Sequence, residues 1–404
     1  MKTLNGINVA VGVTGCIAAY KTAEVVSRLK KLGADVHVIM TESAREFVAP
    51  LTFGTLSKNK VICDMFAVPD YSEVEHISVA SAADVFLVCP ATANIIGKVA
   101  SGIADDFLST TIMATKAPVV FAAAMNNNMY ENSIVQENIK KLKKHDYHFI
   151  EPDDGMLACG TSGKGRLADY DKIIDTVEFF AYKKKDFSGK KVLVTAGPTV
   201  ETIDPVRYIT NHSSGKMGYA VAKAARMRGA DVTLISGPVL VKAFEGIEVV
   251  SVSSAQQMYS EVVRRAKESD YIIKAAAVAD YRPKDVKNNK IKKGGSLVIE
   301  LAENPDILKS IASDKGNTVV VGFCMETENL LKNAEKKLRS KNLDFIVAND
   351  LSKEGAGFKT DTNIVTIIDR NGGREALNIM EKEELAHVIL DKCIEMKNCG
   401  GTAE

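Results

Sequence analysis

The sequence predicts an α/β protein with two doubly wound parallel-sheet domains, and two observations carry this prediction. First, apolar strand-like runs alternate with helical stretches, which favours parallel sheets joined by crossover helices. Second, one strand–turn–helix–strand plan occurs twice, over 7–40 and over 190–236, and the tetrapeptide Gly-Ala-Asp-Val follows the helix in both copies. A strand that leads through a glycine-bearing turn into a helix is where such sheets hold phosphates. We therefore expect two ligand sites in one chain.

The predicted strands are the apolar runs between the helical stretches. They cover 7–13, 35–40, 84–89, 118–123, 147–150, 191–196, 231–235, 247–252, 270–275, 318–323, 344–348 and 363–368. The helix of the first copy runs to Leu32, and the helix of the second begins at about Lys216. Each has an apolar stripe typical of a core-facing helix. The stripes are Ala18, Val25, Val26, Leu29 and Leu32, and Ala220, Val221, Ala224 and Met227.

A charged connector over 181–190 separates the two copies and shows no periodicity of core residues. We therefore expect a first domain over 1–182, a linker over 183–190 and a second domain over 191–396. The polar residues 397–404 predict a disordered tail. A chain of 404 residues is long enough for each domain to have its own core.

Composition narrows the class of partner. Lys and Arg number 52 against 51 Asp and Glu, so no basic excess points to nucleic acid or an anionic membrane surface, and small-molecule substrates are favoured. The longest apolar stretches, such as 85–89 and 119–125, are far shorter than the roughly 18 residues of a membrane span. A lipoprotein-like run ends at Cys16, but Asn5 and Asn8 interrupt its apolar part, so we expect no signal peptide. Seven scattered cysteines without a C-x-x-C pair indicate the reduced cytoplasm.

Small and polar residues follow three predicted strands of the first domain. They are Thr14, Gly15, Cys16, Thr41, Ser43, Thr92 and Asn94. Any one of them is more simply explained by turn chemistry or helix capping. The carboxyl ends of parallel strands meet at one edge of a sheet, where such folds bind ligands, so the three groups together predict a site. His145 and His148 have no acidic or thiol ligand pattern nearby and indicate a solvated segment end rather than a metal site.

Three motifs further along the first half carry a resemblance. They are Glu75-His76-Ile77-Ser78, the run Met125-Asn126-Asn127-Asn128-Met129-Tyr130, and the glycine-rich stretch 155–167, which contains Cys159. With these motifs the first half resembles the flavin-dependent cysteine decarboxylases, in particular phosphopantothenoylcysteine decarboxylase. It departs from the family pattern at Ala123, where proline is usual, and at Leu167, where methionine is common. Neither departure removes a chemical group.

The resemblance implies a flavodoxin-like domain that binds FMN at the strand-end residues Thr14 to Asn94 named above. His76 would act as the base toward the substrate thiol, because an imidazole titrates near neutral pH. Asn126 would bind the departing carboxylate, and Cys159 would supply a proton on a flap whose glycines allow closure. The simpler readings are a structural His76 and a small buried Cys159. Cys159 stands among glycines and polar residues, however, and such a segment is not typical of a hydrophobic core.

The second half contains a polar turn, Thr210-Asn211-His212-Ser213-Ser214-Gly215-Lys216-Met217-Gly218. It is not a P-loop, because Thr210 and Met217 occupy positions where that motif needs Gly and Ser or Thr. Three more motifs are Lys274–Pro283, Lys290–Lys293 and Asn304–Ile307. Over about 190–370 the chain resembles phosphopantothenate–cysteine ligase in a Rossmann-like domain. The two halves together resemble the bifunctional enzymes of coenzyme A biosynthesis.

That resemblance implies that CTP activates the carboxylate of 4'-phosphopantothenate as an acyl-cytidylate, from which cysteine displaces CMP. ATP as the nucleotide stays open. Asn211 would steady the acyl intermediate, and Mg²⁺ is expected with a triphosphate, its protein ligands unknown. The nucleotide residues would be Lys274, Ala275, Ala276, Asp280, Lys290, Asn304, Pro305, Asp306, Ile307, Phe323, Lys337 and Lys341. Without the resemblance, 290–293 reads as a solvated loop and the last two lysines as a surface stripe.

Two other functions fit parts of this pattern. A flavin prenyltransferase shares the first fold but has no use for the Cys159 flap or the second half. A flavin-binding regulatory subunit without activity should lack one of His76, Asn126, Cys159 or Lys290, and all four are present. The family resemblance also implies a homo-oligomer, with trimers of the flavin domain linked by dimers of the ligase domain.

Overall fold

The computed structural model describes residues 2–65, 75–156, 160, 162–294, 297–312, 314–326, 329–350, 357 and 360–399. It divides into two compact units, Met1–Lys183 and Lys184–Glu404. In the part of the chain that the structure describes, no helix combines the length and the apolar character that crossing a membrane requires.

The strands of the first unit are β1 (Asn8–Val13), β2 (Asp35–Met40), β3 (Val85–Ala91), β4 (Val119–Ala123), β5 (His148–Ile150), β6 (Asp153–Met156) and β7 (Ser162–Arg166). Its helices are α1 (Ala19–Lys31), α2 (Glu42–Arg45), α3 (Pro50–Ser57), α4 (Glu75–Ala82), α5 (Ala93–Ala100), α6 (Phe107–Ala114), α7 (Asn127–Glu131), α8 (Ser133–Lys143) and α9 (Tyr170–Ala181).

The first five strands form a parallel sheet in the order β2-β1-β3-β4-β5, which is the flavodoxin-like order. Successive residues of β1 enter opposite cores, with Val9 in one hydrophobic cluster and Ala10 in the other. Because both faces of the sheet are covered, the strands are continuous apolar runs, which is why the sequence predicted them. Strands β6 and β7 form a separate antiparallel hairpin.

The strands of the second unit are β8 (Lys191–Ala196), β9 (Val200–Thr202), β10 (Tyr208–Thr210), β11 (Asp231–Ser236), β12 (Glu248–Ser251), β13 (Tyr271–Lys274), β14 (Tyr281–Pro283), β15 (Leu301–Glu303), β16 (Val319–Glu326), β17 (Phe345–Asp350), β18 (Thr362–Asn363), β19 (Val365–Asp369), β20 (Arg374–Ala376) and β21 (Met380–Glu381). Its helices are α10 (Lys216–Met227), α11 (Ala255–Ala266), α12 (Ile307–Ala312), α13 (Leu330–Ser340) and α14 (Lys382–Cys399).

The large sheet of the second unit has the order β12-β11-β8-β13-β16-β17-β19-β20. Its first six strands are parallel and follow the Rossmann order, as predicted. The prediction of a wholly parallel sheet was wrong at the run 363–368, because β19 pairs antiparallel with β17 and β20 with β19. A parallel neighbour needs a crossover, usually a helix, and the described residues between β17 and β19 contain only the short strand β18.

The predicted linker is in part a component of the second core. Phe187 is fully buried there, and the guanidinium of Arg228, itself fully buried, lies 4.9 Å from the Phe187 ring centre. Arg228 Nε donates to Asp186 at 2.7 Å, and Nη2 donates to Asp391 at 2.8 Å. Part of the predicted linker thus has core contacts, although the run shows no periodicity of core residues. A single aromatic residue in a charged run produces no periodicity from which burial could be predicted.

Replacing Phe187 by alanine is expected to destabilise the second unit by about 3–5 kcal/mol, because it leaves a cavity and uncovers the Arg228 guanidinium. Chemical denaturation followed by circular dichroism measures the loss, and the unfolding of the first unit serves as an internal reference. The matched control is Leu240→Ala, since Leu240 is fully exposed and should change stability by less than about 0.5 kcal/mol. Equal effects of both substitutions would contradict the packing described here.

The chain also stays helical beyond the predicted start of a disordered tail at residue 397, since α14 continues to Cys399. Lys397 Nζ donates to the backbone oxygen of Asn317 at 2.5 Å and lies 5.7 Å from the centre of the Tyr271 ring. These contacts hold the last helical turn on the unit, and the polar composition of the segment gives no sign of them. Residues 400–404 of the predicted tail lie outside the described residues.

Candidate active sites

Strand order reverses between β1 and β3, and two threonines meet at that point. Thr14 follows β1 and is 1% exposed. Its Oγ1 donates to the backbone oxygen of Pro90 at 2.7 Å and lies 3.3 Å from Thr92 Oγ1, at the entry to α5. Asn94 lies exposed in the first turn of α5. In doubly wound sheets ligands bind in the crevice at this reversal, and Thr14 and Thr92 lie at this point of the sheet.

The turn after β1 also touches the turn after β2. A Cβ atom built on Gly15 would come within 2.4 Å of Ser43 Cβ, so only glycine allows this approach. Thr41 caps α2, and its Oγ1 accepts from the backbone N–H of Ala44 at 3.3 Å. Cys16 is partly buried, and this burial raises the pKa of its thiol. Residues of all three predicted groups thus converge, although Thr41 performs the capping role that was its simpler reading.

Asn126 follows β4 and caps α7, where its Oδ1 accepts from the backbone N–H of Asn128 at 2.9 Å. The hairpin strand β7 lies against this motif, because the backbone N–H of Met125 donates to the oxygen of Gly165 at 3.0 Å. A Cβ atom on Gly165 would stand 2.2 Å from the backbone oxygen of Met125. Glycine is therefore required here for close packing of two backbones. Cys159 lies outside the described residues.

His76 lies in the first turn of α4, a different element from that of Asn126. Its ring stands edge-on to the ring of Phe107 at the start of α6, with centres 6.1 Å apart. His76 therefore lies in helix α4, and Asn126 lies at the start of α7, beside the hairpin of β6 and β7. The two side chains are thus carried by different elements of the first unit.

In the second unit, the loop after β13 runs alongside the loop after β8, where the strand order reverses. The backbone N–H of Ala275 donates to Thr195 O at 3.2 Å, and that of Ala277 donates to Gly197 O at 2.9 Å. Asn211 joins the same loop, because its Nδ2 donates to the backbone oxygen of Ala277 at 3.0 Å. Predicted residues from separate motifs are therefore in contact at the switch point of a Rossmann sheet.

Three lysines surround this loop. Lys274 ends β13, and its burial, together with the charges of Lys337 and Lys341, lowers its pKa to about 7. Lys337 Nζ donates to the backbone oxygen of Phe323 at 2.8 Å, and its burial lowers its pKa. Lys341 Nζ forms an ion pair of 2.9 Å with Asp306. Three cations around one partly buried loop form an environment that favours a polyanion.

The Asn304–Ile307 turn lies next to Asp280. The backbone N–H of Asn304 donates to the oxygen of Asp280 at 2.8 Å, and its Nδ2 donates to Ala279 O at 2.9 Å. The side chain of Ile307 is buried in the core. Lys290 is exposed on the segment between β14 and β15, and in the described part of the chain no contact ties it to the lysine cluster.

A cavity opens beside these lysines. Its lining residues are Ser213, Ser214, Gly215, Lys216, Met217, Gly218, Ala275, Phe323, Cys324, Met325, Asn349, Gly357, Asn363 and Lys382. The backbone N–H groups at the start of α10 are suited to binding an anion, because they have no acceptors within the helix. Lys382 Nζ donates to Gly357 O at 3.0 Å, and burial together with the Lys216 charge lowers its pKa to about 8.

Asn349 is the functional candidate that the sequence analysis missed. It lies in β17 and is 2% exposed, yet neither amide atom has a hydrogen-bond partner among the described residues. A buried unpaired amide is costly and calls for an explanation such as a ligand. Asn349 directly follows the predicted strand 344–348. The rule that singled out polar residues at the carboxyl ends of other strands would therefore have found it.

The described residues contain no group of three or more His, Cys, Asp or Glu side chains arranged for a metal ion. The lysine cluster and the cavity instead supply cations, amides and backbone N–H groups, which bind phosphates and carboxylates. In the second unit such charged groups adjoin the ligand crevice, whereas the described residues that meet at the crevice of the first unit carry hydroxyls or small side chains. Two different chemistries are therefore built on two related sheets.

Comparisons with known proteins match both halves of the chain. The family model described as Flavoprotein matches residues 1–181, and the model described as DNA/pantothenate metabolism flavoprotein C-terminal domain matches residues 187–396. The coenzyme A biosynthesis bifunctional protein CoaBC of Bacillus subtilis is 48% identical over 393 residues, which are 96% of this chain and 97% of that protein. The protein of the same name from Escherichia coli is 41% identical over 397 residues, 97% of this chain and 98% of its own.

Solved structures resemble each half separately. The crystal structure of the C-terminal domain of a coenzyme A biosynthesis bifunctional protein CoaBC has a TM-score of 0.46 and 42% identity, covering 53% of this chain and 99% of that one. A PPC decarboxylase mutant complexed with pantothenoylaminoethenethiol has a TM-score of 0.40 and 27% identity, covering 43% of this chain and 97% of that one.

Proposed function

Because the chain belongs to the family of coenzyme A biosynthesis bifunctional proteins, we propose that it performs two consecutive reactions. The second unit joins 4'-phosphopantothenate to cysteine at the expense of CTP. The first unit decarboxylates the resulting phosphopantothenoylcysteine to 4'-phosphopantetheine. The observation that carries this proposal is that each unit has a separate crevice at its sheet reversal, with hydroxyls in one and a lysine cluster in the other. Both reactions belong to the cytoplasm.

FMN fits the first crevice, where Thr14, Gly15, Cys16, Thr41, Ser43, Thr92 and Asn94 would hold it. The absence of a side chain at Gly15 lets the turn after β2 approach the turn after β1 at Ser43, and Thr14 and Thr92 bring hydroxyls to the same point. Bound FMN supplies the electron sink that the amino-acid substrate lacks. His76 removes the proton of the substrate thiol, Asn126 donates its amide N–H to the departing carboxylate, and Cys159 returns a proton.

A carboxylate is a poor electrophile at neutral pH, and activation as an acyl-cytidylate overcomes this in the second unit. Lys274, Lys337, Lys341 and Lys290 stabilise the negative charge of the triphosphate. Asn211 steadies the acyl intermediate, and Ala275, Ala276, Asp280, Phe323 and the Asn304–Ile307 turn enclose the nucleotide. Mg²⁺ enters with the triphosphate, whose oxygens it prefers. The cavity at the start of α10 receives 4'-phosphopantothenate.

One experiment tests both reactions. The purified chain is incubated with 4'-phosphopantothenate, cysteine, Mg²⁺ and either CTP or ATP, and the products are followed by mass spectrometry. CTP is expected to give phosphopantothenoylcysteine and then the product that has lost CO2. If neither nucleotide yields the cysteine conjugate, the ligase proposal is wrong. If the conjugate forms and never loses CO2, the decarboxylase proposal is wrong.

We also propose an assembly in which first units form trimers and second units form dimers. Such a homo-oligomer would explain how His76 and Asn126, seated on different elements of one chain, serve one substrate, since a neighbouring subunit supplies one of them. Sedimentation of the full chain tests this, because a monomer under assay conditions is incompatible with a shared site.

Asn349→Ala is expected to raise the KM for 4'-phosphopantothenate about tenfold or more while the KM for CTP stays unchanged, because a buried amide bond to the substrate is lost. The same substitution should leave the free protein equally stable or slightly more so, since that amide has no partner there. Steady-state kinetics and thermal unfolding measure the two effects. The exposed Asn317→Ala is the matched control, and a lower stability with an unchanged KM would contradict the assignment.

The depressed pKa of Lys274, about 7, makes nucleotide binding dependent on pH. Above pH 7 the lysine is mostly neutral in the free protein, whereas a bound triphosphate favours its charged form. Binding at pH 8 should therefore take up a proton, and nucleotide affinity should fall as pH rises above about 7. Calorimetry in two buffers of different ionisation enthalpy measures the uptake. Lys274→Met should abolish it and the exposed Lys309→Met should not; proton release would contradict the prediction.

A further inference from the structure

The turn between β9 and β10 holds a buried carboxylate, that of Asp204, which is 1% exposed. Its Oδ1 accepts hydrogen bonds from the backbone N–H groups of Val206 at 2.8 Å and Arg207 at 2.9 Å. These two bonds close the turn itself, as Asp side chains commonly do. The second carboxylate oxygen is therefore available for a different task.

Asp204 Oδ2 joins this turn to the segment between β14 and β15. It accepts from Arg207 Nη1 at 2.8 Å and from the backbone N–H of Ile291 at 3.1 Å. Arg207 Nη1 also donates to the backbone oxygen of Ile291 at 3.1 Å. On the other side, the N–H of Lys287 donates to Ile203 O at 3.0 Å. The segment is thus fastened to the turn both before and after Lys290.

This fastening matters because the segment has little else to order it. Its described residues, 284–294 and 297–300, form no helix or strand, and Lys287, Lys290, Lys292 and Lys293 are exposed. A loop with several like charges samples many conformations, and a ligand that orders it must offset the lost conformational entropy. The Asp204–Arg207 pair reduces that entropy before the ligand arrives. Since the pair is neutral as a whole, it leaves the positive charge of the lysines available to an anion.

We propose that Asp204 is a positioning residue for ligation, whose carboxylate presets Lys290 for the nucleotide triphosphate through the N–H of Ile291 and through Arg207. This inference rests on the proposed role of Lys290 as a triphosphate ligand. Asp204 itself touches no substrate and acts through the backbone of the segment. Its removal should consequently weaken nucleotide binding and leave the other substrates unaffected.

Asp204→Asn in the full chain tests the proposal. The asparagine keeps an acceptor for the turn but presents an NH2 group to two donors, Ile291 N–H and Arg207 Nη1. The Kd for CTP, measured by calorimetry, should rise about tenfold, which corresponds to about 1.4 kcal/mol. The KM for cysteine and the decarboxylation rate should stay unchanged. Asp285→Asn is the matched control, because Asp285 is an exposed carboxylate of the same segment. The Kd of this variant for CTP should remain that of the wild type.

A double-variant comparison separates positioning from general loss of structure. If Asp204 acts through Lys290, adding Asp204→Asn to Lys290→Gln should raise the Kd no further. Additive effects overturn the proposal, and so does a rise with Asp204→Asn when Lys290→Gln has none. If Lys290→Gln raises the Kd and Asp204→Asn does not, the positioning role of Asp204 is wrong and the proposed function stays intact. In the wild type, the Ile291 amide should exchange slowly with solvent before nucleotide is added; rapid exchange overturns the proposal whether or not the variant folds.

Discussion

Lys290→Gln is expected to reduce ligation by about a hundredfold or more while decarboxylation of added phosphopantothenoylcysteine proceeds at the wild-type rate. Removing one preorganised donor that stabilises developing negative charge costs rates of this order. The first unit has its own crevice and its own sheet, so its chemistry has no need of this lysine. Mass spectrometry of both reactions on the same sample measures the separation of the two activities.

The segment itself provides the control for this substitution. Lys293→Gln removes the same charge from an exposed position three residues further on, so it should lower ligation only slightly. If Lys293→Gln and Lys290→Gln have equal effects, the segment acts as a diffuse positive surface. The specific role of Lys290 would then be wrong, and the simpler interpretation of 290–293 as a solvated loop would be right.

Cys159→Ser is expected to stop the first reaction before the finished product. Carbon dioxide is still lost, but the oxidised enethiol persists, because a serine hydroxyl gives up a proton far less readily than a thiol whose ordinary pKa is about 8.5. Mass spectrometry should detect a product that is lighter than 4'-phosphopantetheine by a pair of hydrogen atoms. Ligation in the second unit should be unaffected.

Cys63→Ser provides a matched thiol substitution within the first unit, at a free and partly buried cysteine outside the three motifs. It should leave turnover to 4'-phosphopantetheine unchanged. Normal turnover by the Cys159→Ser variant would rule out the thiol as the proton donor. Cys159 would then have to be read as the small apolar residue that its burial preference also allows.

The sequence predicted the sheets well because their strands are buried on both faces. Runs such as 191–196 and 344–348 are apolar at nearly every position, and that signal is local. The pairing direction of β19 was mispredicted because it depends on the connection that precedes the strand, which composition does not reveal. The burial of Phe187 could not be predicted for a related reason, since its partner Arg228 is distant in the chain and only the folded structure brings them together.

The residues of the candidate sites likewise differ in how far the sequence could predict them. Lys274 and Lys337 were predicted through a family resemblance, and the structure brings them together around one loop. Their lowered pKa values depend on distance and burial, which no sequence pattern gives. Asn349 was missed although its position at a strand end was visible. Gly165 was read as a source of flap movement, whereas the close approach of Met125 O gives it a packing role as well.

Phe323 lies on the boundary between the lysine cluster and the cavity, because its carbonyl binds Lys337 and the residue also lines the space beside α10. A compound that fills the cavity and reaches the lysines would contact β16 at Phe323. The backbone makes this contact, so a side-chain substitution at Phe323 would change the wall of the cavity and keep the carbonyl that binds Lys337. A compound that relied on the Phe323 side chain would therefore be open to resistance by substitution at that position.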